Sequence, residues 1–250
     1  MSTSAGDPAL NEGTPAAREI IAGEPGPAAR RWLGPVALIS FVLFVVLTVL
    51  VASGATRAGF DLPVERAMQQ VPWGPLTYWM TLTNVTGGLI QDLFGAAVVI
   101  ALFLWDRRAG WLMALGAFGS LIDQIVKVSI ARHRPTADLV TVLNRSNGYS
   151  YPSGHALFFT WLAFMLAVAI SPHVAPRWRV VTWALAAFVI VSVCIGRIWA
   201  GAHWPTDVIA GFLLGLTWSA FILWLPERWL PQPSRRWNPL RWRTSRRSHA

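Results

Sequence analysis

The stretch Arg197-Ile198-Trp199-Ala200-Gly201-Ala202-His203-Trp204-Pro205-Thr206-Asp207 sets an arginine, a histidine and an aspartate in the seam between two apolar runs, residues 180–198 and 206–225. Each run is close to the roughly 20 residues that cross a bilayer as a helix. Ionisable groups at membrane depth are costly, so a cluster of them marks a functional site by default. Pro205 suits the first turn of a helix, and the spacing predicts a helix from about Trp204 onward. His203 then stands just before a helix N-terminus, where backbone N–H groups and the dipole favour an anion. Asp207, four residues on, is in reach of one ring nitrogen, which would leave the other with a lone pair. That is how an imidazole becomes a nucleophile or a base. Taken alone, the same residues equally describe a capping histidine and a surface aspartate. The rest of the chain decides between the two.

Outward from this seam the composition is that of a membrane protein: 54% of the 250 residues are hydrophobic, well above an ordinary soluble domain. Further apolar runs cover residues 35–53, 89–105, 111–130 and 154–170, giving six spans in all and an all-α, six-transmembrane-helix bundle. A signal peptide has the same order as the first run, but this one is longer than an ordinary apolar signal core, so an uncleaved span is expected. Residues 1–29 lack apolar periodicity and read as a disordered cytoplasmic arm; residues 30–230 form the six-span domain; residues 231–250 are a basic cytoplasmic tail. Asp61 to Trp73 has the pattern of a short interfacial helix, and Asn84, Gly87 and Gly88 mark a break. Pro172 to Arg179 reads as a basic turn. The single cysteine, Cys194, excludes an intrachain disulfide.

Six spans put both termini on one side. Arg30, Arg31, Arg107, Arg108, Arg177, Arg179 and the tail arginines fall on that side, which makes it cytoplasmic. The net charge of +9 therefore reflects membrane orientation, and no nucleic-acid partner is expected. Trp32, Trp105, Trp111, Trp178 and Trp229 are expected at the inner interface, with Trp73, Trp79 and Trp204 at the outer one. Lys127, Arg132, Arg134, Arg145 and Arg197 violate the charge bias, and all lie in or near motifs.

Two motifs accompany the first. Lys127-x6-Arg134-Pro135 ends the third span, and Lys127 is the only lysine in the chain, a compact point charge among arginines. Asp123 is one helical turn earlier and can pair with it; a snorkelling lysine and a loop arginine are the plainer reading. Arg132 and His133 are expected to be peripheral. Pro152-Ser153-Gly154-His155 opens the fourth span, with Ser153 as N-cap and Gly154 permitting close approach of a backbone N–H to an oxyanion. His155 falls in the first turn, where it can donate a proton to a leaving oxygen, or be no more than part of a capped helix start. All three motifs fall at the extracytoplasmic ends of spans three, four and six and can converge there. Three cations, two helix N-termini and two histidines describe an oxyanion site of the kind phosphoryl transfer needs. No acidic cluster of metal-ligand type accompanies them, and His155 and His203 lack a third ligand, so neither a metal nor another cofactor is expected.

Together the three motifs resemble the tripartite signature of the type 2 phosphatidic acid phosphatase (PAP2) superfamily, in its membrane lipid phosphatase branch, over residues from about 60 to 225. Gly196 departs from the commonest pattern, in which a serine precedes the arginine. The resemblance implies that Lys127, Arg134 and Arg197 hold the phosphate, joined by Ser153 and Gly154. It implies that His203 attacks to form a phosphohistidine, that Asp207 orients it, and that His155 protonates the leaving group. Vanadium haloperoxidases share the signature but not the spans.

The substrate expected is a lipid phosphate or diphosphate, and the outward-facing site favours a polyprenyl diphosphate of undecaprenyl type. Arg132, His133 and Arg145 bracket the site and can hold a second phosphate. The alternatives are a phosphatidic acid or phosphatidylglycerol phosphate phosphatase, and a non-catalytic protein that binds or transports lipid phosphates.

Overall fold

The computed structural model describes residues 27–226, and these are helical with no strand. The expected arm lies outside the described residues up to position 26, and the expected tail lies wholly outside them. Residues 27–29, assigned to the arm from composition, are the start of α1 (Pro27–Ala52). A π-helical turn (Arg57–Asp61) and α2 (Leu62–Gln70) follow, then α3 (Leu76–Val85), α4 (Leu89–Trp105), α5 (Arg107–Ala117) and α6 (Gly119–Ile130). After a long polar loop come α7 (Gly154–Ile170), a 3₁₀ turn (Ser171–His173), α8 (Pro176–Trp199) and α9 (Pro205–Trp224).

Five helices among the described residues are long and apolar enough to cross a membrane: α1, the joined α5 and α6, α7 with its 3₁₀ turn, α8 and α9. The second expected span coincides with α4, and the break expected at Asn84, Gly87 and Gly88 is where α3 meets it at an angle of 92°, so the pair is a broken span or a re-entrant element. The bend sits where Gly88 adopts φ +60°, a conformation open to glycine and strained for other residues. The basic turn expected at 172–179 is shorter than its charges suggest. Pro176 starts α8, so Arg177 and Arg179 belong to the first turn of a helix.

The centre of the bundle is α9, packed against α1 on one side and α7 on the other. Gly211 and Gly215, one turn apart on α9, let α7 approach its backbone. A Cβ at Gly211 would lie 2.3 Å from the Ser153 carbonyl oxygen, and one at Gly215 would lie 2.9 Å from that of Leu157. Small residues at this spacing are the ordinary means of close helix packing in lipid. The main core is aromatic and aliphatic, with Phe158, Trp161 and Met165 of α7 meeting Met113, Val193 and Ile222. The polar loop from 131 to 153 is tied to α2 by Arg66, which donates to the Leu139 carbonyl (3.0 and 3.1 Å), and by Gln69, which donates to that of Thr141 (2.7 Å). It is tied to the end of α8 by the Leu143 N–H, which donates to the Ala200 carbonyl at 2.9 Å. These ties hold the motif-bearing ends of α6, α7, α8 and α9 at one end of the bundle.

Trp204, expected at the outer interface, is instead 1% exposed. Its indole N–H donates to the His133 carbonyl (2.9 Å), and the guanidinium groups of Arg57 and Arg132 lie over its ring. Those contacts replace the lipid headgroups that an interfacial tryptophan would otherwise meet.

Candidate active site

His203 connects α8 to α9 and is 2% exposed. Its Nδ1 lies 2.8 Å from the Ser150 carbonyl oxygen, and its Nε2 lies 3.1 Å from an Arg134 guanidinium nitrogen. A carbonyl only accepts, so Nδ1 carries the proton and Nε2 keeps its lone pair, directed to Arg134. Burial first, then the positive charges of Arg197, Arg134 and Lys127, hold the imidazole well below its ordinary pKa and therefore neutral. The expected hydrogen bond from His203 to Asp207 is not made: Nδ1 and the nearer carboxylate oxygen are 3.8 Å apart. The Ser150 carbonyl takes that place. Asp207 acts one step back, accepting from the Ser150 hydroxyl and from the Trp204 N–H (2.9 Å).

Arg134, in the loop after α6, makes more contacts than a phosphate ligand alone would need. It donates to the carbonyls of Ala202 (2.7 Å), Gly148 (3.0 Å), Asn147 (3.2 Å) and Tyr149 (3.2 Å), and so shapes the loop around the histidine. Arg197, at the end of α8, is 1% exposed and meets no carboxylate among the described residues. It donates to Asn84 Oδ1 (2.5 Å) and to the Ser146 hydroxyl (3.3 Å), and its Nε has no partner. A buried guanidinium without a counter-ion is a demand for an anion. Lys127 is placed differently. Its ammonium group bonds both oxygens of Asp123 (2.6 and 2.7 Å) and the Pro152 carbonyl (2.6 Å), which uses all three donors. The pairing with Asp123 is the one its helical spacing implies.

Ser153 occupies the N-cap position of α7, but its hydroxyl makes no cap bond. The Oγ is buried and unpartnered, while its backbone N–H donates to the Asp207 carbonyl at 2.9 Å, which joins the starts of α7 and α9. The expected cap is therefore absent, and a buried polar atom is left that only a ligand or water can satisfy. His155 Nε2 is likewise buried and unpartnered. Lys127, Arg134, Gly154, His155, Arg197 and His203 line one cavity of about 780 Å³; Ser153 and Asp207 do not line it, though each is joined to residues that do. Among the described residues no group of three His, Cys, Asp or Glu side chains is arranged to hold a metal ion.

Arg132 is not peripheral. One of its nitrogens donates to Asp207 Oδ1 (2.5 Å) and Thr206 Oγ1 (2.7 Å), the other to Asp61 Oδ2 (2.5 Å) and Thr56 Oγ1 (3.3 Å). A guanidinium engaged with two buried carboxylates is not available for a second phosphate, so that expectation fails for Arg132. His133 does not line the cavity, whereas Arg145 does. Three residues of the site escaped the motif reading. By sequence Asn84 only marks a helix break, Ser150 belongs to no motif, and Asp61 begins an interfacial helix. Each acts through a contact more than 50 positions distant in sequence, which no local spacing reveals.

Residues 107–231 match the PAP2 superfamily. An undecaprenyl-diphosphatase of Sulfolobus acidocaldarius is 26% identical over 190 residues, covering 74% of this chain and 87% of that protein. A phosphatidylglycerophosphatase B of Bacillus subtilis is 29% identical over 191 residues, covering 73% and 89%. The crystal structure of a transmembrane PAP2-type phosphatidylglycerolphosphate phosphatase from Bacillus subtilis shares the fold, with a TM-score of 0.59 at 23% identity over 74% of this chain and 93% of that one. With a matched segment that contains all three motifs and spans joined in the same bundle, the chain belongs to the PAP2 superfamily, as a multi-pass membrane lipid phosphatase.

Proposed function

We propose that the protein hydrolyses the diphosphate head group of a polyprenyl lipid through a phosphohistidine at His203, without a metal. The observation that carries the mechanism is the imidazole itself. Its Nδ1–H is committed to the Ser150 carbonyl, and its Nε2 faces Arg134, a guanidinium that would also hold a phosphate oxygen. Nε2 attacks phosphorus, and the bond from phosphorus to the leaving oxygen breaks. His155, which takes up a proton once the negative charge of the phosphate is in the cavity, gives it to that oxygen. Water then attacks phosphorus, His155 takes the water's proton, the bond from phosphorus to His203 Nε2 breaks, and inorganic phosphate leaves. Arg134 and Arg197 supply positive charge to the equatorial oxygens, joined by the Ser153 hydroxyl and the Gly154 N–H. Lys127 joins them by exchanging one of its present acceptors for phosphate. Asp207 holds the Ser150 segment that orients the imidazole.

A diphosphate is favoured over phosphatidic acid or phosphatidylglycerol phosphate by Arg145. It lines the main cavity and also a smaller adjoining one of about 290 Å³, shared with Arg134, Thr136 and Ser146. A second, non-reacting phosphate beside Arg145 leaves with less charge penalty. The relatives that act on undecaprenyl diphosphate and on phosphatidylglycerophosphate span both possibilities. The arginine asymmetry supports a site on the extracytoplasmic face of the cell membrane, with both termini in the cytoplasm. The test is phosphate release from undecaprenyl diphosphate and from phosphatidic acid by purified protein in EDTA. Release is expected to persist in EDTA, to favour the diphosphate, and to fall by several orders of magnitude in His203→Ala. Removal of one phosphate donor, as in Arg197→Ala, should cost about 10²–10³-fold. Near-normal turnover by His203→Ala would end the phosphohistidine reading.

A further inference from the structure

The cavity motifs leave one buried group of charges unexplained. Asp61, Glu65 and Asp207 come from three different elements, and each is 0% exposed. Among the described residues, Arg132 is the cation paired with two of them, Asp61 and Asp207. Asp61 belongs to the π-helical turn before α2, far in sequence from the phosphate motifs. Its two oxygens do three things. Oδ1 accepts the Thr206 backbone N–H at 2.8 Å. Oδ2 accepts the Thr206 hydroxyl at 3.0 Å and the Arg132 guanidinium at 2.5 Å.

Thr206 is the second residue of α9, whose own N-cap position is Trp204, with no side-chain oxygen to offer. Asp61 is therefore the cap of α9 in trans, satisfying one of its orphan N–H donors and meeting the positive end of its dipole. Through Arg132 the same carboxylate fixes Asp207, which receives the other arm of the guanidinium at 2.5 Å. Asp207 in turn holds the Ser150 hydroxyl and the Trp204 N–H, the residues on either side of His203 in space and in sequence. The Ser150 carbonyl then receives the imidazole N–H.

We propose that Asp61 is a positioning residue for His203: by capping α9 and holding Arg132 against Asp207, it sets the imidazole so that Nδ1 carries the proton and Nε2 faces the cavity. This rests on His203 being the nucleophile. Asp61 itself touches no reacting atom. Its effect belongs on the chemical step and not on lipid binding, because Asp61, Arg132 and Thr206 do not line the cavity, whereas Arg134, Arg197 and Arg145 do.

The experiment uses the full chain in lipid nanodiscs, with undecaprenyl diphosphate and phosphatidic acid as probes. It compares wild type, Asp61→Asn, Asp61→Ala and His203→Ala for kcat and KM. The same proteins, labelled with ¹⁵N-histidine, report the tautomer of His203, whose signals are identified by their loss in His203→Gln. Asp61→Asn keeps the acceptor for Thr206 and weakens the hold on Arg132. It should lower kcat about 10- to 100-fold, the range typical of residues that orient a reacting ligand from behind, with KM within about 2-fold of wild type. Asp61→Ala should lower kcat further and give a mixed His203 tautomer. Should Asp61→Ala not fold, Asp61→Asn carries the test alone. Wild-type kcat in Asp61→Asn with an unchanged histidine spectrum overturns the proposal, as does a change confined to KM. Full activity in His203→Ala would instead remove the nucleophile on which it rests, and the two failures are told apart by that variant.

Discussion

At the scale of single residues, buried polar atoms without partners mark where chemistry is expected. Ser153 Oγ, His155 Nε2 and Arg197 Nε are all buried and unpaired; His155 and Arg197 line the cavity, Ser153 precedes its lining residue Gly154, and each is a group an oxyanion or a leaving oxygen would satisfy. Glu65 is a different case. Both its oxygens are unpartnered, and burial first, then the negative charges of Asp207 and Asp61, push its pKa up to about 8, with Arg132 offsetting part of the shift. An acid whose folded pKa lies above its unfolded value holds its proton in the folded state across the window between the two. Its contribution to stability is thus full below about pH 4.5 and is lost as pH rises toward 8. Glu65→Gln imitates the protonated form. Thermal unfolding in detergent should show this variant a few degrees more stable than wild type at pH 8.5 and nearly equal at pH 5. An equal difference at both pH values would show that Glu65 does not titrate between them. The three motifs were legible in the sequence because their spacing on helices is local. Asn84, Ser150 and Asp61 were not, because their partners lie on other elements.

At the scale of elements, α9 carries most of the site's geometry. Its N-terminus holds Asp207 at the third position and is separated from His203 by Trp204 alone, while Gly211 and Gly215 bring it against α7 at backbone contact. That contact sets the spacing between the starts of the two helices, where the Ser153 N–H reaches the Asp207 carbonyl at 2.9 Å. Gly211→Val would drive a branched side chain into the Ser153 carbonyl, with no flexible neighbour to yield. Overpacking of this kind costs about 1–3 kcal/mol and displaces the helices. The expected result is a lower unfolding temperature together with a larger loss of activity than the loss of folded protein accounts for. Measured by activity per folded molecule, an unchanged value would mean that the α7–α9 spacing does not matter to the site. The bend between α3 and α4 is the counterpart on the other side of the cavity. It brings Asn84 onto Arg197, where its Oδ1 accepts at 2.5 Å and its amide donates to the Gly196 carbonyl at 3.0 Å. Asn84, Gly87 and Gly88 mark the break in the sequence, but the 92° change of direction and the contact of Asn84 with Arg197 are set by the tertiary structure.

At the scale of the whole molecule, orientation is the property with the plainest test. Asn147 lies in the polar loop over the cavity and Ser248 in the arginine-rich tail. Single cysteines placed at these positions in a Cys194→Ala background should divide in whole cells. An impermeant reagent should label Asn147→Cys and leave Ser248→Cys unlabelled until the cells are opened. The reverse pattern would invert the bundle and put the site in the cytoplasm. The sequence by itself determined that the chain crosses a membrane, roughly where most of its helices run, and which residue types meet at one end. Apolar length and helical spacing are local quantities, and they survive without knowledge of the fold. Only the tertiary structure decided how the histidine is held. Whether Asp207 or a backbone carbonyl takes the Nδ1–H, and whether Arg132 faces a phosphate or two buried carboxylates, depends on which loop folds over which helix end. Those contacts join residues as far apart as Asp61 and Thr206, and it is the burial of charge, which demands a partner wherever one can be found, that chooses them.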